Sequence, residues 1–222
     1  MDNPRFDMDK YKAEYDEFWA GMKPVILGST GGMTGWGGRF LYAVARTIKA
    51  TMIFEIGTRN GMSATTFCRA LTKNGGGEFT TCDTKNVTAG EAKGSENFPL
   101  TPDQMVVHNK DYENVLHFIQ GRGADVLRLI EPGTLDIVLI DGSHGEKDMI
   151  EELPLALDAV REGGVLICDD VYPNGKRFGD RTDLPGPWLG LMHHINEGLI
   201  DGYVRPDEKQ SVAYIVKGES HG

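Results

Sequence analysis

The 222-residue sequence is poor in cysteine, in positive charge and in long apolar runs. Its 3 cysteines, Cys68, Cys82 and Cys168, are odd in number and widely spaced, a pattern that fits neither a disulfide framework nor a zinc site. They are expected to be reduced core thiols. The first residues are polar, and no apolar run approaches the roughly 18 residues of a membrane helix. These absences predict a cytoplasmic protein without a membrane anchor.

Basic residues are outnumbered, since 33 Asp and Glu stand against 23 Lys and Arg, for a formal net charge of -10. Such a surface disfavours nucleic acid and anionic lipid as partners, because both carry phosphates. The length and the 40% hydrophobic content are sufficient for one domain with a core. We therefore expect a single domain over residues 1–222, with residues 1–38 as an N-terminal appendage. Whether the chain forms a homo-oligomer stays open.

The predicted appendage combines a helix with a glycine-rich stretch. Apolar side chains recur at helical spacing from Lys10 to Met22, and Pro24 is expected to end this helix. The glycines between Gly28 and Gly38 predict either a flexible linker or a lid over a ligand, since ordering them costs backbone entropy. A second helix is expected from Arg39 to Ile48.

Short apolar runs alternate with helical patterns along the rest of the chain, as in parallel sheets covered on both faces. The predicted parallel strands are residues 51–54, 78–82, 104–108, 135–140 and 164–168. Two more runs, residues 200–204 and 212–216, predict a C-terminal antiparallel hairpin after a helix at residues 188–199. The sequence therefore predicts an α/β, doubly wound, mostly parallel seven-stranded sheet. Pro154 predicts a kink or a fresh start in the helix after the fourth strand.

A glycine turn follows the first predicted strand, between Glu55 and a helix that begins near Ser63. Gly57 and Gly61 can adopt backbone angles closed to other residues and let a ligand approach the main chain. The first N–H groups of the following helix attract negative charge. A dinucleotide fingerprint would need a third glycine at Arg59, so NAD is disfavoured. The alternative to a nucleotide-like ligand is a plain tight turn.

Acidic residues follow the strands, at the edge where open parallel sheets bind ligands. Asp83 is placed to accept hydrogen bonds from ribose hydroxyls, and Asp111 to reach an adenine amino group. Either one is alternatively a helix cap or turn residue. Asp141, Asp169 and Asp170 would repel one another unless a cation lies among them, and oxygen ligands suit Mg2+. The alternative is that Asp169 or Asp170 caps the next segment.

Three segments of the sequence resemble one enzyme family. They are Glu-x-Gly-x-x-x-Gly-x-Ser from Glu55 to Ser63, Ile-Asp-Gly-x-His from Ile140 to His144, and the pair Asp169-Asp170. In this order they look like the metal-dependent S-adenosylmethionine O-methyltransferases of small molecules. The likeness is greatest to the branch that modifies sugar hydroxyls of macrolide and aminocoumarin antibiotics, which cephalosporin hydroxylase proteins also resemble.

The resemblance implies a Rossmann-like methyltransferase fold that binds S-adenosylmethionine at the glycine turn. It also implies Mg2+ or Mn2+ on Asp141, Asp169 and Asp170, and Asp148 as the base for a hydroxyl of a small polyhydroxylated acceptor. His144 is a second candidate for the base, or it orders the turn. Residues 174–188 predict an acceptor-binding lid or an exposed connection. A component of a hydroxylase system and a non-catalytic S-adenosylmethionine-binding module are the alternative functions.

Overall fold

The structure is a computed structural model of the chain. It describes residues 6–26, 35–59, 61–84, 112, 114–143, 145–172, 186–207 and 210–221. The helices are α1 (Met8–Ile26), α2 (Trp36–Thr47), α3 (Met62–Asn74), α4 (Gly123–Leu127), α5 (Glu146–Ala159) and α6 (Gly186–Asn196). The strands are β1 (Met52–Ile56), β2 (Glu78–Asp83), β3 (Leu116–Gln120), β4 (Leu135–Ile140), β5 (Val160–Cys168) and β6 (Ala213–Val216).

The strands form a mixed sheet in the order β3-β2-β1-β4-β5-β6. The pairs β2/β3 and β4/β5 are parallel, whereas β5/β6 is antiparallel. The predicted α/β fold with an antiparallel C-terminal addition is therefore confirmed. Among the described residues the sheet has six strands rather than the predicted seven.

The chain divides into two compact units, one of Phe54–Gly57 with Arg122–Gly222 and the other of Asp2–Ile53 with Thr58–Gly121. In the first unit, every residue of β4 is buried, and α5 packs on β4, β5 and α6. In the second unit, α2 packs between α1 and α3. All three cysteines are buried thiols. The prediction of one domain over residues 1–222, with 1–38 as an appendage, stays a prediction.

The largest differences between the predicted and observed strands concern the third strand and the C-terminal hairpin. Residues 104–108, the predicted third strand, lie outside the described residues, and the observed β3 was not predicted. In place of a strand at residues 200–204, a single bridge joins Val204 to Tyr214. Gly202 weakens strand pairing, and the Asp201 carboxylate accepts hydrogen bonds from Ser220 and His221 instead.

Two helix boundaries correct the reading of the N-terminal region. Helix α1 continues to Ile26, so Pro24 does not end it but lies in its last turn, where it removes one intrahelical hydrogen bond. Helix α2 begins at Trp36, so residues 36–38 are helical, and the predicted lid stays a prediction. Residues 28–34 lie outside the described residues. Across the part of the chain that the structure describes, no helix is long and apolar enough to cross a membrane.

Helix α5 is continuous through Pro154, so of the two predicted alternatives the fresh start is wrong, and the kink stays a prediction. Pro154 has no N–H to donate to the carbonyl of Ile150, four residues earlier. Nε2 of His194, on α6, lies 3.1 Å from that carbonyl oxygen. Because a carbonyl only accepts, Nε2 carries the proton and supplies the missing hydrogen bond. His194 is buried, and this burial lowers its pKa.

Candidate functional site

The turn after β1 begins at Gly57, which has a φ of 96°. A Cβ atom on this residue would lie 2.1 Å from the carbonyl oxygen of Asp141. The N–H of Asp141 donates to the carbonyl of Ile56 at 2.9 Å. Glycine is therefore required at this position because the ends of β1 and β4 meet there, in addition to any ligand that the turn binds.

The turn then closes through hydrogen bonds of its own. The N–H of Gly61 donates to the carbonyl of Thr58 at 2.7 Å, and Gly61 adopts the left-handed conformation as the N-cap of α3. The hydroxyl of Thr58 lies 2.7 Å from that of Thr81 on β2, and both residues are buried. These bonds fix the shape of the turn before any ligand binds.

Asp83, the predicted ribose ligand, contacts the same turn. Its Oδ2 atom accepts a hydrogen bond from the backbone N–H of Arg59 at 3.1 Å. Arg59 has a positive φ of 43°, a conformation that is costly for a residue with a side chain. Asp83 therefore stabilises a strained residue of the turn, a role that the sequence did not indicate.

Two further predicted cofactor residues flank the turn. Glu55 is fully buried in β1, and Ser63 is buried in the first turn of α3. Helix α3 begins without a side-chain cap and without an acidic residue in its first turn. The positive end of its dipole therefore has no carboxylate of that turn beside it. Asp111 lies outside the described residues.

The register of β4 and β5 determines where the three predicted metal ligands lie. Ile140 pairs with Cys168, so Asp141 and Asp169 are the next residues on two neighbouring parallel strands. The N–H of Asp169 donates to the carbonyl of Ile140 at 3.0 Å. Asp170 is buried and has a φ of 55°. The structure thus brings the backbones of Asp141 and Asp169 together, as the strand ends predicted.

A metal ion requires more than adjacent backbones. Within the described ranges, no group of three or more His, Cys, Asp and Glu side chains is arranged to hold a metal ion. One carboxylate oxygen of Asp169 accepts a hydrogen bond from the Ser211 hydroxyl at 2.8 Å. The three carboxylates therefore do not fit a metal site in this arrangement, and we derive no catalytic step through a metal.

Asp148, the predicted base, lies in the first turn of α5. The Ser143 hydroxyl donates to its Oδ2 atom at 2.5 Å and accepts from the N–H of Gly145 at 3.1 Å. Nη2 of Arg122 lies 3.9 Å from its Oδ1 atom. Asp148 thus stabilises Ser143 and Gly145, which precede α5. His144, the other candidate base, lies outside the described residues. Residues 174–185 of the predicted acceptor loop also lie outside them.

Glu152 was not among the predicted site residues. Its side chain is buried, with 5% of its surface exposed. Burial, followed by the neighbouring charge of Asp148, raises its pKa to about 7. The signal was available in the sequence, because Met149, Leu153 and Ala156 define the apolar face of α5 and Glu152 lies on that face.

Comparison with known proteins identifies a family that matches this chain. The family described as "Methyltransferase domain" matches residues 54–171, which contain the glycine turn, the ends of β4 and β5, and α5. O-methyltransferase ankF of Aspergillus thermomutatus is 29% identical over 127 residues, which are 57% of this chain and 48% of that protein. The chain thus spans about half the length of the curated relative it matches.

Several solved structures share the fold. The O-methyltransferase TomG of Streptomyces achromogenes, in complex with SAM, is 22% identical with a TM-score of 0.57, over 95% of this chain and 89% of that one. The O-methyltransferase of Bacillus cereus, in complex with SAH, is 19% identical with a TM-score of 0.57, over 92% and 90%. The SAH-bound methyltransferase of Podospora anserina is 16% identical with a TM-score of 0.62, over 84% and 80%. Since the family match covers more than half of its residues, the chain belongs to the methyltransferase-domain family.

Proposed function

We infer that the protein transfers a methyl group from S-adenosylmethionine to a hydroxyl oxygen of a small polyhydroxylated molecule. The observation that carries this proposal is the turn after β1, which lies inside the matched family segment and is bonded to Asp83. The curated relative is named as an O-methyltransferase, and two of the similar structures are O-methyltransferases in complex with SAM or SAH.

The turn supplies chemistry that suits this cofactor. The first N–H groups of α3 favour a carboxylate such as that of the methionine part, because no acidic side chain of the first turn competes for the helix dipole. A carboxylate accepts several hydrogen bonds, so Asp83 has the capacity to bind ribose hydroxyls as well as Arg59. We assign Glu55, Gly57, Gly61 and Ser63 to cofactor binding at this turn, and Asp111 to binding of the adenine.

Methyl transfer forms a bond between the acceptor oxygen and the methyl carbon while the bond from that carbon to sulfur breaks. The bonding electron pair goes to sulfur, and the hydroxyl proton must leave. Asp148 is our candidate for the group that takes this proton, with His144 as the second candidate. The rest of the rate acceleration comes from holding the oxygen in line with the carbon–sulfur bond, since positioning alone can remove a large part of such an activation barrier.

Dependence on Mg2+ or Mn2+ is a separate part of the proposal. It rests on the order of Asp141, Asp169 and Asp170 in the sequence and on the adjacent strand ends that hold the first two. Because the three carboxylates do not form a metal site in the structure, metal dependence has its own test. The proposed cofactor binding at the turn does not depend on its result.

Calorimetry with S-adenosylmethionine, with its demethylated product and with NAD tests the cofactor. We expect micromolar binding of the first two and no binding of NAD. Binding of NAD without S-adenosylmethionine would overturn the proposal. Incubation with labelled S-adenosylmethionine and a panel of hydroxylated metabolites, followed by product analysis, then tests the reaction. A hydroxylated product would indicate the hydroxylase alternative, and bound cofactor without any turnover would indicate a binding module.

A further inference from the structure

Glu152 combines burial with contacts to a neighbouring segment. A Cβ atom on Gly123 would lie 2.6 Å from Oε1 of Glu152, so the carboxyl group lies directly against that glycine. The backbone of the next residue, Ala124, also faces this carboxyl group. Glu152 thus holds the start of α4 against α5.

Packing alone does not explain a glutamate at this position. Its Oε2 atom is buried and has no hydrogen-bond partner among the described residues. A buried carboxyl oxygen without a partner is unfavourable, and an apolar side chain of similar size would fill the same space without that cost. The presence of a glutamate here therefore points to a role in positioning the residues next to Gly123 and Ala124.

The residue before Gly123 is Arg122, which lies beside the candidate base. Its Nη2 atom is 2.7 Å from Oε2 of Glu151 and 3.9 Å from Oδ1 of Asp148. A cation beside a carboxylate favours the ionised form, which is the form that accepts a proton. Glu151 and Glu152 carry the opposite charge when ionised. Arg128 offsets part of the charge of Glu151 at 2.6 Å, and Arg122 is the cation that lies beside Asp148.

We propose that Glu152 is a positioning residue for Asp148, because it fixes the backbone at Gly123 and Ala124 and so keeps Arg122 beside that carboxylate. This inference rests on the proposed function, in which Asp148 takes the acceptor proton. The titratable and charged groups that face Glu152 are Asp148 and Glu151 on α5, Arg122 before α4, and Cys168 on β5.

The raised pKa of Glu152, about 7, supports the choice of variants. The group is largely protonated below that pH, so Glu152→Gln is close in shape and charge to the natural state. Glu152→Ala removes the side chain that lies against Gly123. Arg122→Gln removes the cation and leaves Glu152 in place. The double variant with Glu152→Ala and Arg122→Gln completes the set.

We expect Glu152→Ala to lower kcat by about 10-fold or more, since misplacing a group at a reacting centre by about 1 Å can cost about 100-fold. The dissociation constant for S-adenosylmethionine should not change. Glu152→Gln should keep nearly full activity. The double variant should lose no more than Arg122→Gln alone, because both changes remove the same interaction.

Multiplicative losses in the double variant would overturn the proposal, as would a Glu152→Ala variant with normal kcat and only a lower melting temperature. Leu153→Ala is the matched control, since it removes a buried side chain of α5 beside Glu152. It should lower the melting temperature and leave kcat unchanged at a temperature where the variant is folded.

Two measurements do not depend on turnover. Hydrogen exchange at the amides of Asp125 and Val126, which donate to the carbonyl of Arg122, should be faster in Glu152→Ala and normal in Arg122→Gln. The carboxyl-carbon NMR signal of Asp148 should shift in the same direction in both variants. Unchanged exchange, or an Asp148 signal that only Arg122→Gln moves, would overturn the positioning role. If the variants show both effects but the wild type transfers methyl to no acceptor, the proposed function fails and the positioning of Asp148 stands.

Discussion

Gly57→Ala is the substitution whose effect the structure defines most closely. The added Cβ atom would lie 2.1 Å from the carbonyl oxygen of Asp141, 2.6 Å from its carbonyl carbon and 2.8 Å from Cα of Gly142, whereas real Cβ contacts almost never fall below 3.0 Å. All three contacts are with backbone, so no side chain can turn away. The ends of β1 and β4 would have to separate by about 1 Å, which is an overpacking of the kind that costs about 1–3 kcal/mol.

A second cost comes from the backbone angle of Gly57. At a φ of 96° a side chain adds roughly 1–2 kcal/mol of conformational strain. The two costs together predict a loss of about 2–5 kcal/mol in the free energy of unfolding. That is a large part of the roughly 5–15 kcal/mol that holds a typical domain folded. Gly57→Val should be more severe, and both variants should lose S-adenosylmethionine binding.

Gly75→Ala is the matched control, because Gly75 has a φ of 105° and a Cβ atom there would meet nothing within 4 Å. It should show the conformational cost alone, about 1–2 kcal/mol, and should keep cofactor binding. Urea unfolding of the two variants and the wild type gives the difference, and calorimetry gives the affinity. Equal losses of stability in the two variants would refute the argument that Asp141 and Gly142 require a glycine at position 57.

Three further predictions concern metal, base and pH. If the reaction uses a divalent ion, excess chelator should abolish methyl transfer, Mg2+ or Mn2+ should restore it, and Asp169→Asn should lose the metal response but keep cofactor affinity; full activity in chelator would exclude the metal. If Asp148 is the base, Asp148→Asn should lower kcat by about 10²–10⁴-fold with the cofactor still bound, whereas His144→Gln should be mild. The opposite pattern would assign the base to His144. Because the pKa of His194 is lowered in the fold, the protein should be fully stabilised above the unfolded value of 6.5 and lose stability as the pH falls through it. Urea unfolding from pH 8 to 5 should show this loss in the wild type and a smaller one in His194→Gln, and identical slopes would contradict it.

The sequence predicted the strands whose residues are mostly buried. For β4 the predicted and observed bounds coincide, because all six residues are buried and a short buried run has few other interpretations. For β3 the prediction failed, since His117 and Gln120 interrupt its pattern and several of its side chains are exposed. The strand is defined by its pairing with β2, which lies far from it in sequence. A local pattern does not contain that information.

The same distinction applies to the candidate site. The glycine turn was predicted because its residues are consecutive, but the contact of Gly57 with Asp141 joins positions far apart in sequence. Strand ends predicted that Asp141 and Asp169 are neighbours. Whether their carboxylates and that of Asp170 converge depends on side-chain geometry and on partners such as Ser211, which spacing does not specify. Glu152 was not predicted, because a glutamate is almost never fully buried unless it is paired.

The hydrogen bond between His194 and the carbonyl of Ile150 has a consequence for the evolution of this chain. Pro154 creates the need for a donor from another helix, and His194 meets that need. The two positions are therefore expected to change together among relatives. A chain with a residue other than proline at position 154 would supply its own N–H to the carbonyl, and selection would then no longer hold a donor at position 194. Pro154 and His194 would then be a coupled pair, in which the histidine compensates for the proline inside the helix.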